Sequence, residues 1–62
     1  MKMKVKVKLL GTGKEEDPYR PDVSGISWTM TEYNEKEGWV IIEISKEDYE
    51  KIKDKVIEVI EE

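Results

Sequence analysis

The feature that most constrains the fold is residues 38–62, where a strand pattern passes directly into a helix pattern. The run Trp39–Ile44 contains the only four consecutive apolar residues in the chain. Ser45 interrupts this run and is a good N-cap, and Asp48 stands where a capping box carries its acidic residue. We therefore expect a strand that ends at Ser45 and a helix that begins immediately after it.

The residues after Ser45 form an apolar stripe at helical spacing. Residues three and four apart share one face of an α-helix. The members of the stripe are Tyr49, Ile52, Val56, Val59 and Ile60. The pattern predicts an amphipathic helix that continues to the last turn of the sequence and packs its apolar face on a sheet.

Two upstream segments alternate with the period of a β-strand. In residues 1–9 the odd positions are apolar and the even positions are Lys2, Lys4, Lys6 and Lys8. In residues 26–33 the positions predicted to face inward are Ile26, Trp28 and Met30. The polar segment 34–38 predicts a hairpin between this second strand and the strand at 39–44.

A hairpin register that pairs Tyr33 with Trp39 makes both faces of the sheet chemically consistent. Thr31 then lies opposite Ile41, and Thr29 lies opposite Glu43. The same register places Met30 opposite Ile42 and Trp28 opposite Ile44 on the inner face. An apolar corner of Tyr33, Trp39 and Ile41 is left on the outer face.

These elements predict an α+β fold in a single small domain, residues 1–62. The expected architecture is a two-layer β-β-β-α domain, with a three-stranded antiparallel sheet covered on one face by the C-terminal helix. Strand order 1-2-3 is the simplest, since sequential strands usually pair. Order 1-3-2, with strand 1 parallel to strand 3, stays open because the connection after strand 1 is long.

Composition limits both the stability and the chemistry of the chain. A chain of 62 residues buries only roughly 60% of its unfolded surface, and its stability is therefore marginal. Without Cys or His it has no disulfides, no thiolate ligands and no histidine base. Self-association is therefore the expected source of further stability, with dense ion pairing as a second. We expect no catalytic residues, no cofactor and no metal site.

The use of charged residues and the lack of targeting signals indicate what kind of organism and which cellular compartment the protein comes from. Charged residues make up 42% of the sequence, with Lys and Glu dominating, a usage typical of heat-loving organisms. The N-terminal segment has no apolar region of a secretory signal, and nothing reaches the length of a membrane span. These features favour a cytoplasmic protein with no membrane association.

The connection from Gly11 to Gly25 is a loop by composition, with three glycines and two prolines. Loops of this length are often functional. Its Gly-Thr-Gly-Lys start lacks the spacing of a phosphate-binding loop. Pro18 and Pro21 stiffen the backbone around Tyr19 and Arg20, and Arg20 can pair with Asp17 or Asp22. This favours a structural clamp over a hook that binds a partner.

The same loop carries a resemblance to a known group of proteins. The run from Gly11-Thr12-Gly13 through Glu16–Asp22, followed by Ile26-Ser27-Trp28, resembles a motif in small uncharacterised phage and prophage proteins. The resemblance covers the first half of the chain and implies a viral or mobile-element accessory protein. It implies no catalytic residue.

The sequence contains no recognisable set of catalytic residues. Two non-catalytic hypotheses remain. The favoured one is a non-catalytic protein-interaction or assembly module, with a homodimer or protein partner bound through Tyr33, Trp39 and Ile41 or through Tyr19 and Arg20. The alternative is a nucleic-acid-binding module that uses the lysine face of the first strand. The acidic net charge of −4 argues against nucleic acid.

Overall fold

A computed structural model describes residues 2–62 of the chain. In chain order the elements are β1 (Lys2–Leu10), β2 (Arg20–Pro21), β3 (Thr29–Asn34), β4 (Trp39–Ser45), α1 (Lys46–Ile52), a 3-10 turn (Lys53–Lys55) and β5 (Val56–Glu61). The expected small α+β domain with an antiparallel sheet is confirmed. The expected count of three strands is wrong, because β2 and β5 also join the sheet. Met1, assigned from its spacing to the inner face, lies outside the described residues.

The first strand lies in the interior of the sheet rather than at its edge. The strand order is β2-β1-β4-β3, and β5 also pairs with β1. All of these pairs are antiparallel. Order 1-2-3 is therefore wrong, and the alternative 1-3-2 is correct in its order but wrong in its parallel pairing. The long connection 11–28 carries the chain past β4, so that the β3–β4 hairpin adds to β1 through its second strand.

The C-terminal helix is much shorter than the apolar stripe predicts. α1 ends at Ile52, and the residues from Val56 onward form β5 instead. In β5, Val56 pairs with Val7 and Val59 pairs with Val5. β-branched side chains favour strands over helices, and here β5 pairs with the part of that edge of β1 that β2 does not reach.

The core lies on one face of the sheet, as the alternation in β1 and β4 predicts. Its fully buried members, each at most 1% exposed, are Val5, Val7, Val40, Ile42 and Ile44. Two segments pack against these residues: α1, through Tyr49 and Ile52, and the long connection, through Val23 and Ile26. Trp28, predicted to face the core, instead precedes β3 and is 37% exposed.

A bulge in β3 changes the register of the hairpin. Thr29 pairs with Glu43 and Met30 with Ile42, as predicted, but the pairing then skips Thr31. Glu32, rather than Thr31, is the cross-strand partner of Ile41. The Thr31 hydroxyl donates to the carbonyl oxygen of Ile41 at 3.0 Å. A single extra residue moves every later side chain to the opposite face.

Candidate interaction surfaces

The bulge divides the apolar corner that the sequence predicts on the outer face. Tyr33 pairs with Val40, a core residue, and therefore lies on the core side of the sheet. Asn34, rather than Tyr33, is the partner of Trp39. The expected cluster of Tyr33, Trp39 and Ile41 on one face is thus wrong, because cross-strand partners share a face and Tyr33 has moved by one position.

Trp39 and Ile41 form the apolar centre of the outer face, and their own neighbours largely cover them. Ile41 is only 9% exposed. The Lys6 ammonium lies 4.7 Å from the Trp39 ring centroid, and the Trp39 indole N–H donates to a Glu37 carboxylate oxygen at 3.0 Å. A cation over an indole ring is a favourable contact. Trp39 therefore already contacts two charged side chains, Lys6 of β1 and Glu37 of the hairpin loop.

The lysine ladder of β1 is interleaved with glutamates from both neighbouring strands. Lys4 lies between Glu43 of β4 and Glu61 of β5. Lys6 pairs with Glu58, with 3.6 Å between the ammonium nitrogen and a carboxylate oxygen. Four lysines that looked like a basic face along the strand therefore belong to a face of mixed charge across the sheet.

The ends of the ladder are less crowded than its middle. Lys2 and Lys8 are exposed, and they lie opposite Ser45 and Trp39 respectively. The two most accessible ammonium groups are therefore separated by the length of the strand.

Tyr19 and Tyr33 come together where the long loop meets the hairpin. Their ring centroids are 5.3 Å apart with the planes tilted by 37°. The Tyr19 hydroxyl donates a hydrogen bond to the Glu35 carboxylate, which raises the pKa of Tyr19 above its usual range. The Tyr19 ring also covers Gly13, where an added Cβ would lie 2.5 Å from a ring carbon. These contacts are those of a clamp that attaches the loop to β3.

Arg20 is held within the loop rather than presented freely. Its guanidinium donates to a carboxylate oxygen of Asp17, one of its two predicted partners, at 2.9 Å. The Asp17 carbonyl accepts from the backbone N–H groups of Thr12 and Gly13 at 3.0 and 3.1 Å. The loop 11–21 is therefore internally hydrogen-bonded.

An open cleft of 480 Å³ lies between the long connection and the end of α1. Its charged lining residues are Arg20, Asp22, Lys51, Asp54 and Lys55. Charges of both signs alternate around it, so it offers no concentrated field for an ionic ligand.

The acidic side chains do not assemble a metal site. Among residues 2–62, no group of three acidic side chains converges in a way that would hold an ion. Within the same described part of the chain, no helix is both long enough and apolar enough to cross a membrane.

The surface that sequence reasoning missed is the outer edge of β5. Three of its side chains are substantially exposed: Ile57 at 61%, Val59 at 38% and Ile60 at 42%. Together they account for most of the large exposed apolar side chains in the described chain, the others being Trp28 and Tyr33. The doublets Val56-Ile57 and Val59-Ile60 are the signal that could have revealed it, because consecutive β-branched residues favour a strand.

No protein-family model matches the sequence, and comparisons with curated proteins and with solved structures likewise find no match.

Proposed function

We propose that this chain is a non-catalytic protein-interaction module that binds its partner along the outer edge of β5. The observation that supports the proposal is the concentration of Ile57, Val59 and Ile60 on one exposed edge strand. The loop's resemblance to phage and prophage proteins is the basis for proposing a viral or mobile-element accessory role.

An edge strand is suited to this role because only the backbone N–H and C=O groups on one of its sides are hydrogen-bonded within the sheet. In residues 2–62, β5 pairs only with β1. The remaining N–H and C=O groups along its far side are available to an added strand, and strand addition obtains affinity from those main-chain bonds. Exposed side chains beside them supply apolar contact area. Soluble proteins generally blunt such edges with charge, proline or bulges. β5 has two bulges and two glutamates, but exposed isoleucine and valine separate the glutamates.

The outer face is a weaker candidate than the β5 edge. Trp39 is covered by Lys6, Ile41 is almost buried, and Tyr33 lies on the other side of the sheet. The lysine ladder does not favour nucleic acid, because Glu43, Glu58 and Glu61 alternate with it.

The proposal is tested by capturing partners from the cells that make the protein. The tagged chain is compared with the double variant Ile57→Thr/Ile60→Thr, which keeps β-branched residues and so preserves strand propensity. Trp39→Ala is the matched control on the outer face. We expect the wild type and Trp39→Ala to retain the same partner, which includes any untagged copy of the chain, and the double variant to lose it.

The opposite pattern would overturn the proposal. If Trp39→Ala releases the partner while Ile57→Thr/Ile60→Thr retains it, binding occurs on the outer face. Circular dichroism of each variant establishes that the comparison is made between folded proteins.

A further inference from the structure

We infer that the occupant of the β5 edge is a second copy of this chain, paired antiparallel with β5 about a two-fold axis at Glu58. The inference rests on the function proposed above and specifies the partner. It would join two sheets into one continuous sheet through an isologous contact, in which the same residues meet from both sides.

The charge distribution along the strand supports a copy of the chain in antiparallel orientation. Lys55 immediately precedes β5, and Glu61 is its last residue. Both side chains are exposed. With Glu58 on the axis, Lys55 of each copy lies opposite Glu61 of the other, so the two opposite-charge pairs form twice by symmetry.

The apolar residues are self-complementary in the same register. Ile57 lies opposite Val59 of the second copy, and Val56 lies opposite Ile60. Each of these apolar pairs also forms twice. The two copies of Glu58 meet on the axis, but each already pairs with a Lys6 ammonium at 3.6 Å, which reduces their mutual repulsion.

Neighbouring registers lose this match. If the axis falls between Glu58 and Val59, those two residues become opposite each other and Val56 lies opposite Glu61. If the axis falls on Val59, Ile57 lies opposite Glu61 and Ile60 lies opposite Glu58. Both shifts place glutamates against apolar side chains. The first keeps Ile57 opposite Ile60 and moves Lys55 from Glu61 to Glu62, so the placement of Glu58 against Val59 and of Val56 against Glu61 is what disfavours it.

Two bulges in β5 set the extent of the contact. The pairing with β1 shifts on either side of the segment Glu58-Val59. Bulges increase the local twist and limit further strand pairing. The main-chain ladder with the second copy is therefore short, and the pairs beyond the bulges, Val56 with Ile60 and Lys55 with Glu61, are contacts between side chains.

Single cysteines test the register directly, because the native chain has none. Glu58→Cys places two thiols opposite each other across the axis, at Cα separations of about 4.5–5.5 Å that a disulfide spans. Thr29→Cys, on the exposed start of β3, is the matched control. Under mild oxidation we expect a disulfide-linked dimer from Glu58→Cys and monomer from Thr29→Cys. Cross-linking of Val59→Cys in place of Glu58→Cys would overturn the register.

Self-association is measured by sedimentation equilibrium. We expect a dimer at about 100 μM, where a contact with a micromolar Kd is nearly saturated. Lys55→Glu replaces two opposite-charge pairs with two like-charge pairs and should raise the Kd of the dimer about threefold or more. Lys53→Glu, which changes the same charge in the same 3-10 turn, should leave Kd nearly unchanged.

A monomer at that concentration would overturn the inference of a second copy. The proposed function would then stand only if Ile57→Thr/Ile60→Thr still loses a different captured protein. The two failures are therefore distinguishable.

Discussion

Tyr19 shows how a single side chain can position a long glycine-rich connection. Its ring contacts Tyr33, covers Gly13, and its hydroxyl reaches Glu35 in the hairpin loop. An added Cβ at Gly13 would displace the Tyr19 ring from this position. The clamp, favoured over a binding hook from the proline spacing, is the reading that these contacts support.

The clamp predicts a specific alkaline dependence of stability. The hydrogen bond to Glu35 raises the folded-state pKa of Tyr19 above its ordinary value of 10.0. The folded protein therefore holds this proton more tightly than the unfolded chain does. The stabilisation is fully present below the unfolded pKa and is lost as pH rises through the folded pKa.

Tyrosinate absorbance is the measurement. We expect one of the three tyrosines to ionise at a higher pH than is usual for tyrosine. We expect Tyr19→Phe to remove that late ionisation step. Glu35→Gln, which removes the charged acceptor, should move the late step back toward the ordinary value. A late step that persists in Tyr19→Phe would show that a different tyrosine is responsible.

At the residue scale the sequence indicated short-range partners well and the bulge not at all. Asp17 was one of two predicted partners of Arg20, and proximity along a proline-constrained loop accounts for that success. Thr31 differs because its side-chain bond to Ile41 exists only once the strands have paired. One extra residue in β3 then divides Tyr33 from Trp39.

At the scale of elements, the boundary between β4 and α1 was predicted correctly. The Ser45 hydroxyl oxygen accepts from the backbone N–H of Asp48 at 3.1 Å, as its N-cap position predicts. α1 has seven residues, fewer than a helix needs for stability by itself. The packing of Tyr49 and Ile52 on the core, together with the cap, therefore keeps this short helix in place.

Loss of the cap should be measurable in chemical denaturation. We expect Ser45→Ala to lower the free energy of unfolding by about 1 kcal/mol, the usual value for an N-cap serine. Ser45→Asp retains an acceptor for the Asp48 N–H and should cost much less. Equal losses in the two variants would show that the hydrogen bond from the Asp48 N–H to the side chain at position 45 is not what stabilises the fold.

The end of the helix was mispredicted because two periodicities overlap after Ile52. Val56, Val59 and Ile60 fit a helical stripe, but the same residues are β-branched and fit a strand. Local pattern does not decide between them. The decision comes from β1, whose free edge offers Val5 and Val7 as partners for Val59 and Val56.

At the scale of the whole molecule, strand order depends on which edge of β1 each later segment reaches. The alternation that identifies β1 gives its two faces but says nothing about its neighbours. The outer face illustrates the result, since Lys4 and Lys6 meet Glu61 and Glu58 only through the pairing with β5. The charge character of that face is a property of the sheet and not of one strand.

This charge balance predicts weak binding to nucleic acid. We expect no detectable complex with single- or double-stranded DNA at physiological salt, since phosphate binding needs a net basic surface. The variant Glu58→Gln/Glu61→Gln, which removes the interleaved acids, should bind measurably at low salt and lose that binding as salt rises. Tight salt-sensitive binding by the wild type, abolished by Lys4→Gln/Lys6→Gln, would contradict this expectation and favour the nucleic-acid hypothesis.

The interior position of β1 also determines the order of events during folding. β1 is made first, but β4 and β5, which flank it on both edges, come from the second half of the chain. On the ribosome, the part of β1 that β2 does not pair must wait until β4 and β5 have emerged. Contacts between such distant segments fold slowly, on the millisecond-to-second scale of non-local β proteins. The alternating lysines that give β1 its face pattern therefore also discourage two waiting nascent chains from aggregating.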